Sequence, residues 1–278
     1  MHEPLNQETT TKAITYPGES IALYNAHFFG PFRVTRNQQP IGEPVWRRNK
    51  AKALLKWFLL NPGRMFSADQ LIEYLWPDTV NTSAERNLHV AIHYLRHLLE
   101  PDLLPRHEST YIRRNKGNFY WFDLADSWWT DTFAVEQYYA TAREAEISGN
   151  HKAAITYYRQ IVEYCNLGFL HEDAYEDIFS PYRRHFERIY TEVLEKLMHL
   201  YDQADKVDEI LIYAHYALLA NPYCEPAFRA IADVYFRQGN SAGAIRKLDH
   251  FQAFLKEELG IEPGEDMLSL RKKIAELE

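Results

Sequence analysis

The spacing of apolar residues changes several times over the first 125 positions, and each change marks an element. From Ile21 to Ile41 apolar residues alternate with turn signals, Gly30-Pro31 and then Asn37-Gln38-Gln39-Pro40, and Phe28, Phe32 and Val34 are β formers beside those turns. Short antiparallel strands are predicted there. Leu54, Leu55, Phe58 and Leu59 then recur at helical spacing and Pro62-Gly63 ends the run, which predicts a helix over 46–60. A second helix starts at Ser67, whose hydroxyl can cap it while Gln70 reaches back, and it stops at Trp76-Pro77. Thr82 and Glu85 read as the capping box of a third helix, closed by Pro101. Its stripe Leu88, Ile92, Leu95 and Leu99 is predicted buried, and the opposite face carries Arg86, Asn87, His89, His93, Tyr94, Arg96 and His97. Residues 111–122 read as a hairpin turning at Asn115–Asn118, with basic residues at its tip.

Past Trp128-Trp129-Thr130-Asp131 the pattern becomes helix after helix. Leu194, Leu197, Met198 and Tyr201 correspond to Phe228, Ile231, Ala232 and Tyr235 at a spacing of 34 residues, with Asn221-Pro222 between them. That is the period of tetratricopeptide helix pairs. A further echo sets Gly149-Asn150 and Ala154-Ile155 against Gly239-Asn240 and Ala244-Ile245. Such pairs bury their apolar faces only by stacking, so a short superhelix is expected.

Charge divides the chain at the same place. Residues 21–122 hold fourteen basic and eight acidic residues; residues 123–278 hold sixteen basic and 28 acidic ones. The overall charge of −8 hides this split. A basic region of this kind is the electrostatic footprint of a polyanion partner, nucleic acid above all. At 278 residues the chain is long enough for two domains with separate cores. The expected organisation is a disordered leader over 1–20, a basic domain over 21–125 and a helical domain over 126–278. The fold class is mainly α with a small β component. No stretch approaches ~20 uncharged apolar residues, so no membrane span is predicted. Cys165 and Cys224 lack a CxxC partner and suit a reducing cytosol, and a cytoplasmic location is expected.

Strands, three helices and a basic hairpin are the order of a winged helix–turn–helix. The basic domain resembles the DNA-binding domain of OmpR-type response regulators, and more closely that of the Streptomyces antibiotic regulatory protein family. The matching residues are Arg47, Arg48, Lys50, Lys52 and Leu54-Leu55; the run Leu71-Ile72-Glu73-Tyr74-Leu75-Trp76; Asn87-Leu88-His89-Val90 through Leu95-Arg96; and the hairpin. The helical half resembles the bacterial transcriptional activation domain that follows the winged helix in that family. It shares Trp129-x-Asp131-x-Phe133, Ser180-Pro181-Tyr182-Arg183-Arg184 and Glu257-Glu258-Leu259-Gly260-Ile261-Glu262-Pro263-Gly264. Gly260 suits a left-handed helix cap and Pro263 the first turn of a final helix. The chain departs from the family at Tyr94 and His97, where arginines are usual, and a flatter salt dependence of DNA binding is expected.

The resemblance implies a transcription factor that binds promoter DNA, whose helical half contacts RNA polymerase or mediates dimerisation, and whose net effect is activation; a homodimer on direct repeats is expected because one domain of this size offers limited specific affinity on its own. The residues assigned to bases or phosphates are Arg86, Asn87, His89, His93 and Arg96, with Lys50, Lys52, Tyr94, Arg113, Arg114 and Lys116 on the backbone. The alternative is a helical-repeat adaptor whose winged helix serves protein contacts, favoured by Tyr94 and by the negative total charge. The ladder His89, His93, His97 has metal-chelating spacing but lacks a completing ligand apart from Glu100, so a DNA-facing row is expected, with binding strengthened toward lower pH. Glu172, Asp173, Glu176 and Asp177 read as a solvated connector rather than paired catalytic acids. No phosphate loop, dinucleotide fingerprint, serine elbow or zinc spacing occurs, and neither cofactor, metal nor enzymatic activity is expected.

Overall fold

The computed structural model describes residues 22–41, 49–77, 81–173 and 176–276, with backbone alone at Asn81 and Thr82. The expected leader over 1–20 and the pair Arg47-Arg48 lie outside these residues. The chain forms two compact units. One runs through Phe28 and resumes from Phe32 to Asp131; the other takes Phe29–Pro31 and Thr132–Glu278.

In the first unit β1 (Tyr24–His27) pairs antiparallel with β2 (Arg33–Arg36), and β2 with β3 (Gln39–Ile41). Three helices follow: α1 (Asn49–Leu60), α2 (Ala68–Leu75) and α3 (Asn81–Leu99), with the short strand β4 (Phe66–Ser67) before α2. Strands β5 (Ile112–Arg114) and β6 (Phe119–Phe122) form the hairpin, and β4 joins it with Phe66 opposite Tyr120. The second helix begins as its sequence predicts. Ser67 Oγ accepts from the Gln70 amide at 3.2 Å, and Gln70 Oε1 accepts from the Ser67 amide at 2.9 Å. Because Ser67 also pairs with Phe119, the cap that starts α2 is fixed to the hairpin. Leu54, Leu55, Phe58, Leu71, Leu88, Leu95, Leu99, Ile112 and Phe122 close the core, almost wholly buried. Each such side chain contributes about 1.5–3 kcal/mol.

Two strands were not predicted, the two-residue β4 and one that follows the hairpin. Trp128–Thr130 forms β7, which pairs parallel with β1, Tyr24 opposite Trp128 and Ala26 opposite Thr130. The Tyr24 and Trp128 rings stack at 4.5 Å. Three residues are too short to show a period, and a parallel partner some hundred positions away leaves no local signal. Next in the chain, the buried Asp131 accepts from the Phe28 amide with both carboxylate oxygens, at 2.9 and 2.8 Å. The Trp129-x-Asp131 motif is therefore an anchor for the end of β1. Helix α3 starts at Asn81, which puts Thr82 inside the helix rather than at its cap.

The second unit is helical. After α4 (Asp131–Ile147) come α5 (His151–Cys165), α6 (Ser180–Gln203), α7 (Val207–Ala220), α8 (Glu225–Arg237), α9 (Ser241–Leu259) and α10 (Glu265–Glu276), and successive helices from α5 onward pack on one another. The echo seen in the sequence is one device used twice. Gly149 and Gly239 take φ +76°, which lets the chain turn out of the preceding helix. The next residue then caps the following one: Asn150 accepts from the Ala153 amide at 3.2 Å and Asn240 from the Gly243 amide at 2.9 Å. Gly260 closes α9 in the left-handed conformation. Pro263 does not open the last helix, since α10 starts at Glu265; the connector is held because the Gly264 amide donates to the Glu225 carboxylate.

Candidate nucleic-acid interface

Helix α3 has two unlike faces. Ala84, Leu88, Ala91, Ile92, Leu95 and Leu99 are buried, while Arg86, Asn87, His89, Val90, His93 and His97 are exposed. Tyr94 and Arg96 lie half-buried at the borders. Arg86, Val90, His93 and His97 fall on one stripe of the helix surface. The His93 and His97 rings approach to 4.2 Å, and His97 Nδ1 lies 3.0 Å from the His93 carbonyl. Among the described residues, no group of three or more His, Cys, Asp or Glu is placed to hold a metal ion.

Two residues at the end of α3 position the hairpin. Arg96 donates from Nε and Nη2 to the Ile112 carbonyl, at 3.1 and 2.7 Å. The Glu100 carboxylate accepts from the Ser109 hydroxyl and from the Thr110 amide, the latter at 2.8 Å. The base of β5 is thereby tied to the helix through charged hydrogen bonds, which are roughly twice as strong as neutral ones. The sequence reading assigned Arg96 to DNA and left Glu100 without a role. Neither tie has a local signature, because the partners are a backbone carbonyl sixteen residues on and a loop.

The hairpin turn is held by Asn115, whose Oδ1 accepts from the amides of Gly117 and Phe119 at 3.0 and 3.1 Å. Lys116 is exposed at the tip, and the exposed Arg114 guanidinium lies over the Tyr120 ring at 5.4 Å. Arg113 is more committed, with Nε 3.5 Å from an Asp123 carboxylate oxygen. On α1, Lys50 is exposed and Lys52 is half-buried, its Nζ 5.8 Å from the Phe32 ring. The basic run from Arg47 to Lys56 is not a uniform solvated face: Lys56 is 1% exposed, its ammonium 4.9 Å over the Phe32 ring. Within β1, burial and the nearby Arg33 guanidinium hold His27 far below its usual range, at about 3, so its imidazole is neutral at physiological pH. The connector acids Glu172, Glu176 and Asp177 are exposed, and Arg183 donates to the Asp173 carbonyl at 2.8 Å.

A capped second helix, a third helix with one exposed polar face and a hairpin tied to its end make a winged helix–turn–helix; a tetratricopeptide-like unit follows it in the chain. The family described as transcriptional regulatory protein, C terminal, matches residues 42–122, and the bacterial transcriptional activator domain matches residues 130–275. With both in this order, the chain belongs to the Streptomyces antibiotic regulatory protein-type transcriptional regulators. The regulatory protein AfsR of Streptomyces griseus is 23% identical over 251 residues, which span 88% of this chain and 24% of AfsR. The transcriptional regulatory protein MoaR1 of Mycobacterium tuberculosis is 23% identical over 245 residues, 84% of this chain and 73% of MoaR1. Among solved structures, Mycobacterium tuberculosis EmbR, in complex with a low affinity phosphopeptide, matches with a TM-score of 0.77 at 17% identity. That match covers 92% of this chain and 66% of the EmbR chain, and shows the fold. Among the described residues no helix is long and apolar enough to cross a membrane.

Proposed function

We propose that residues 21–125 bind promoter DNA, with α3 in the major groove and the β5–β6 hairpin against the neighbouring backbone or minor groove. Residues 126–278 contact RNA polymerase, and the net effect is activation from the cytoplasm. The observation that carries this reading is the outward face of α3: Arg86, Asn87, His89 and His93 stand exposed while the opposite stripe is sealed in the core. Those four side chains meet base edges or phosphates. Lys50, Lys52, Tyr94, Arg113, Arg114 and Lys116 lie against the backbone. Arg96 acts one step back, holding the hairpin at the angle that lets its tip reach DNA. One unit of this size offers limited specific affinity, so paired copies on direct repeats complete the site.

The test is a titration of the full chain with random and with selected duplex DNA, at low and at physiological salt. Micromolar or tighter binding that weakens steeply with salt supports DNA recognition, since each neutralised phosphate contributes about −0.9 to the slope of log K against log salt. Millimolar or salt-insensitive binding overturns it and favours the adaptor.

A further inference from the structure

The helical unit holds a cavity of about 540 Å³ where the C-terminal ends of α5 and α7 meet the first half of α6. Its floor is aromatic. The Phe29, Phe169 and Phe186 rings contact one another with centroids 5.0, 5.2 and 5.8 Å apart, and Tyr190 and Tyr216 stand on the walls. Leu219, 68% exposed, forms part of the rim. One edge is polar: the Tyr190 hydroxyl donates to Asn166 Oδ1 at 3.3 Å. Burial pushes the Tyr190 phenol up to about 12, so it stays a neutral hydrogen-bonding group at physiological pH. Glu187 and Arg188 stand at the mouth, and Arg188 is 3.4 Å from Glu192 one helical turn on, so this arginine is already answered within its own helix.

Protein interiors seldom leave voids larger than a water molecule, and the half-buried Tyr190 and Tyr216 rings and the exposed Leu219 leave apolar surface wetted here, which costs free energy in proportion to its area. A hollow floored with rings, bounded on one side by a few hydrogen-bonding groups, has the make-up of a small-molecule site, and its volume falls in the usual range of roughly 300–1,000 Å³. We propose that this cavity binds a small, uncharged, planar aromatic molecule. Its ring packs on the half-buried Tyr216 and against the edges of Phe169 and Phe186 that reach the cavity, and a hydroxyl or carbonyl at one end meets Tyr190 and Asn166. An anionic ligand is disfavoured because Glu187 stands at the mouth and Arg188 is already engaged by Glu192. The site lies within one unit and does not depend on the DNA-binding reading.

The experiment titrates the full chain with 1-naphthol, with cyclohexanol as the non-aromatic control, by calorimetry and saturation-transfer NMR. Binding of naphthol below about 1 mM and at least tenfold tighter than cyclohexanol is expected. Thr191→Trp, which puts an indole into the cavity, abolishes it. Asn166→Leu, at an exposed position that keeps the fold, weakens it by about fivefold to tenfold, the loss of one hydrogen bond. Circular dichroism and Tm confirm that each variant is folded, and Asn166→Leu decides the matter if Thr191→Trp is not. No binding of naphthol, equal binding of cyclohexanol, or undiminished naphthol binding in a folded variant overturns the proposal.

Discussion

The two units handle charge in opposite ways. In the helical unit several arginines are answered by acids: Arg237 pairs with Asp202 and Asp233, Arg188 with Glu192 at 3.4 Å, Arg229 with Asp266 at 2.6 Å and Arg271 with Asp249 at 2.6 Å. In the winged-helix unit Arg86, Arg114 and Lys116 make no ion pair among the described residues; Arg113 pairs with Asp123, while Arg96 and Lys56 lean on a carbonyl and a ring instead. Charge answered within the fold adds little beyond a modest local stabilisation. Charge left unanswered on one face repels itself and raises the potential that draws in a polyanion. Net charge per unit, visible in the sequence, is a proxy for this difference. The pairing is the difference itself.

The largest effects should come from the cores, and they should separate the units. Leu95→Ala removes a fully buried side chain from the winged helix, and Leu197→Ala does the same in α6. Each should cost about 2–5 kcal/mol. In urea unfolding followed by site-specific labels, each substitution should move the transition of its own unit more than the other; a single transition moved equally by both would mean that the units unfold as one. Next comes pH. His27 is neutral in the fold with its pKa lowered to about 3, whereas an unfolded histidine titrates near 6.5. A depressed folded value means that this contribution is fully present above about pH 6.5 and is lost as pH falls toward 3. Between pH 6.5 and 4.5 the winged-helix unit should lose roughly 2 kcal/mol, and His27→Asn should flatten that part of the profile. An unchanged profile in the variant would remove His27 as the cause.

Most of the winged helix was legible in the sequence because its signals are local. Ser67 and Gln70 lie three apart and make the predicted cap, and Leu88, Ile92, Leu95 and Leu99 fall on one helical stripe. The Gly-Asn echo was legible as a repeat, although not as a cap, since a repeat shows sameness without showing geometry. What escaped was every feature whose partner is distant. β7 exists through pairing with β1, Asp131 through the Phe28 amide, and the task of Arg96 through the carbonyl of Ile112. The inward position of Lys56 escapes the sequence for a related reason. A run of basic residues on an amphipathic helix contains one position that faces inward, and composition does not say which.

Smaller effects bear on the candidate interface. Arg86→Ala should weaken DNA binding by about tenfold and lower the salt slope by about 0.9. Arg96 and Lys116 are separated by a double-mutant cycle. If Arg96 positions the hairpin, Lys116→Ala should cost affinity in the parent chain and almost nothing once Arg96→Gln is present, and the two losses should fall short of adding. If Arg96 instead touches a phosphate itself, the losses should add and the salt slope should fall separately for each.

The smallest expected effect is the most telling for the contrast between units. Arg237 carries the same unit charge as Arg86, but it is held between Asp202 and Asp233, with Asp205 3.9 Å away, and those carboxylates raise its pKa. Its field is cancelled before it leaves the surface, so it offers a phosphate nothing. Arg237→Ala should leave DNA affinity within about twofold and the salt slope unchanged, while costing the helical unit about 0.5–1 kcal/mol as three acids lose their shared cation. Measured beside Arg86→Ala in the same buffer, it isolates pairing from charge. A tenfold loss of DNA affinity in this variant would show that paired cations also serve the polyanion, and the division of labour between the two units would fail.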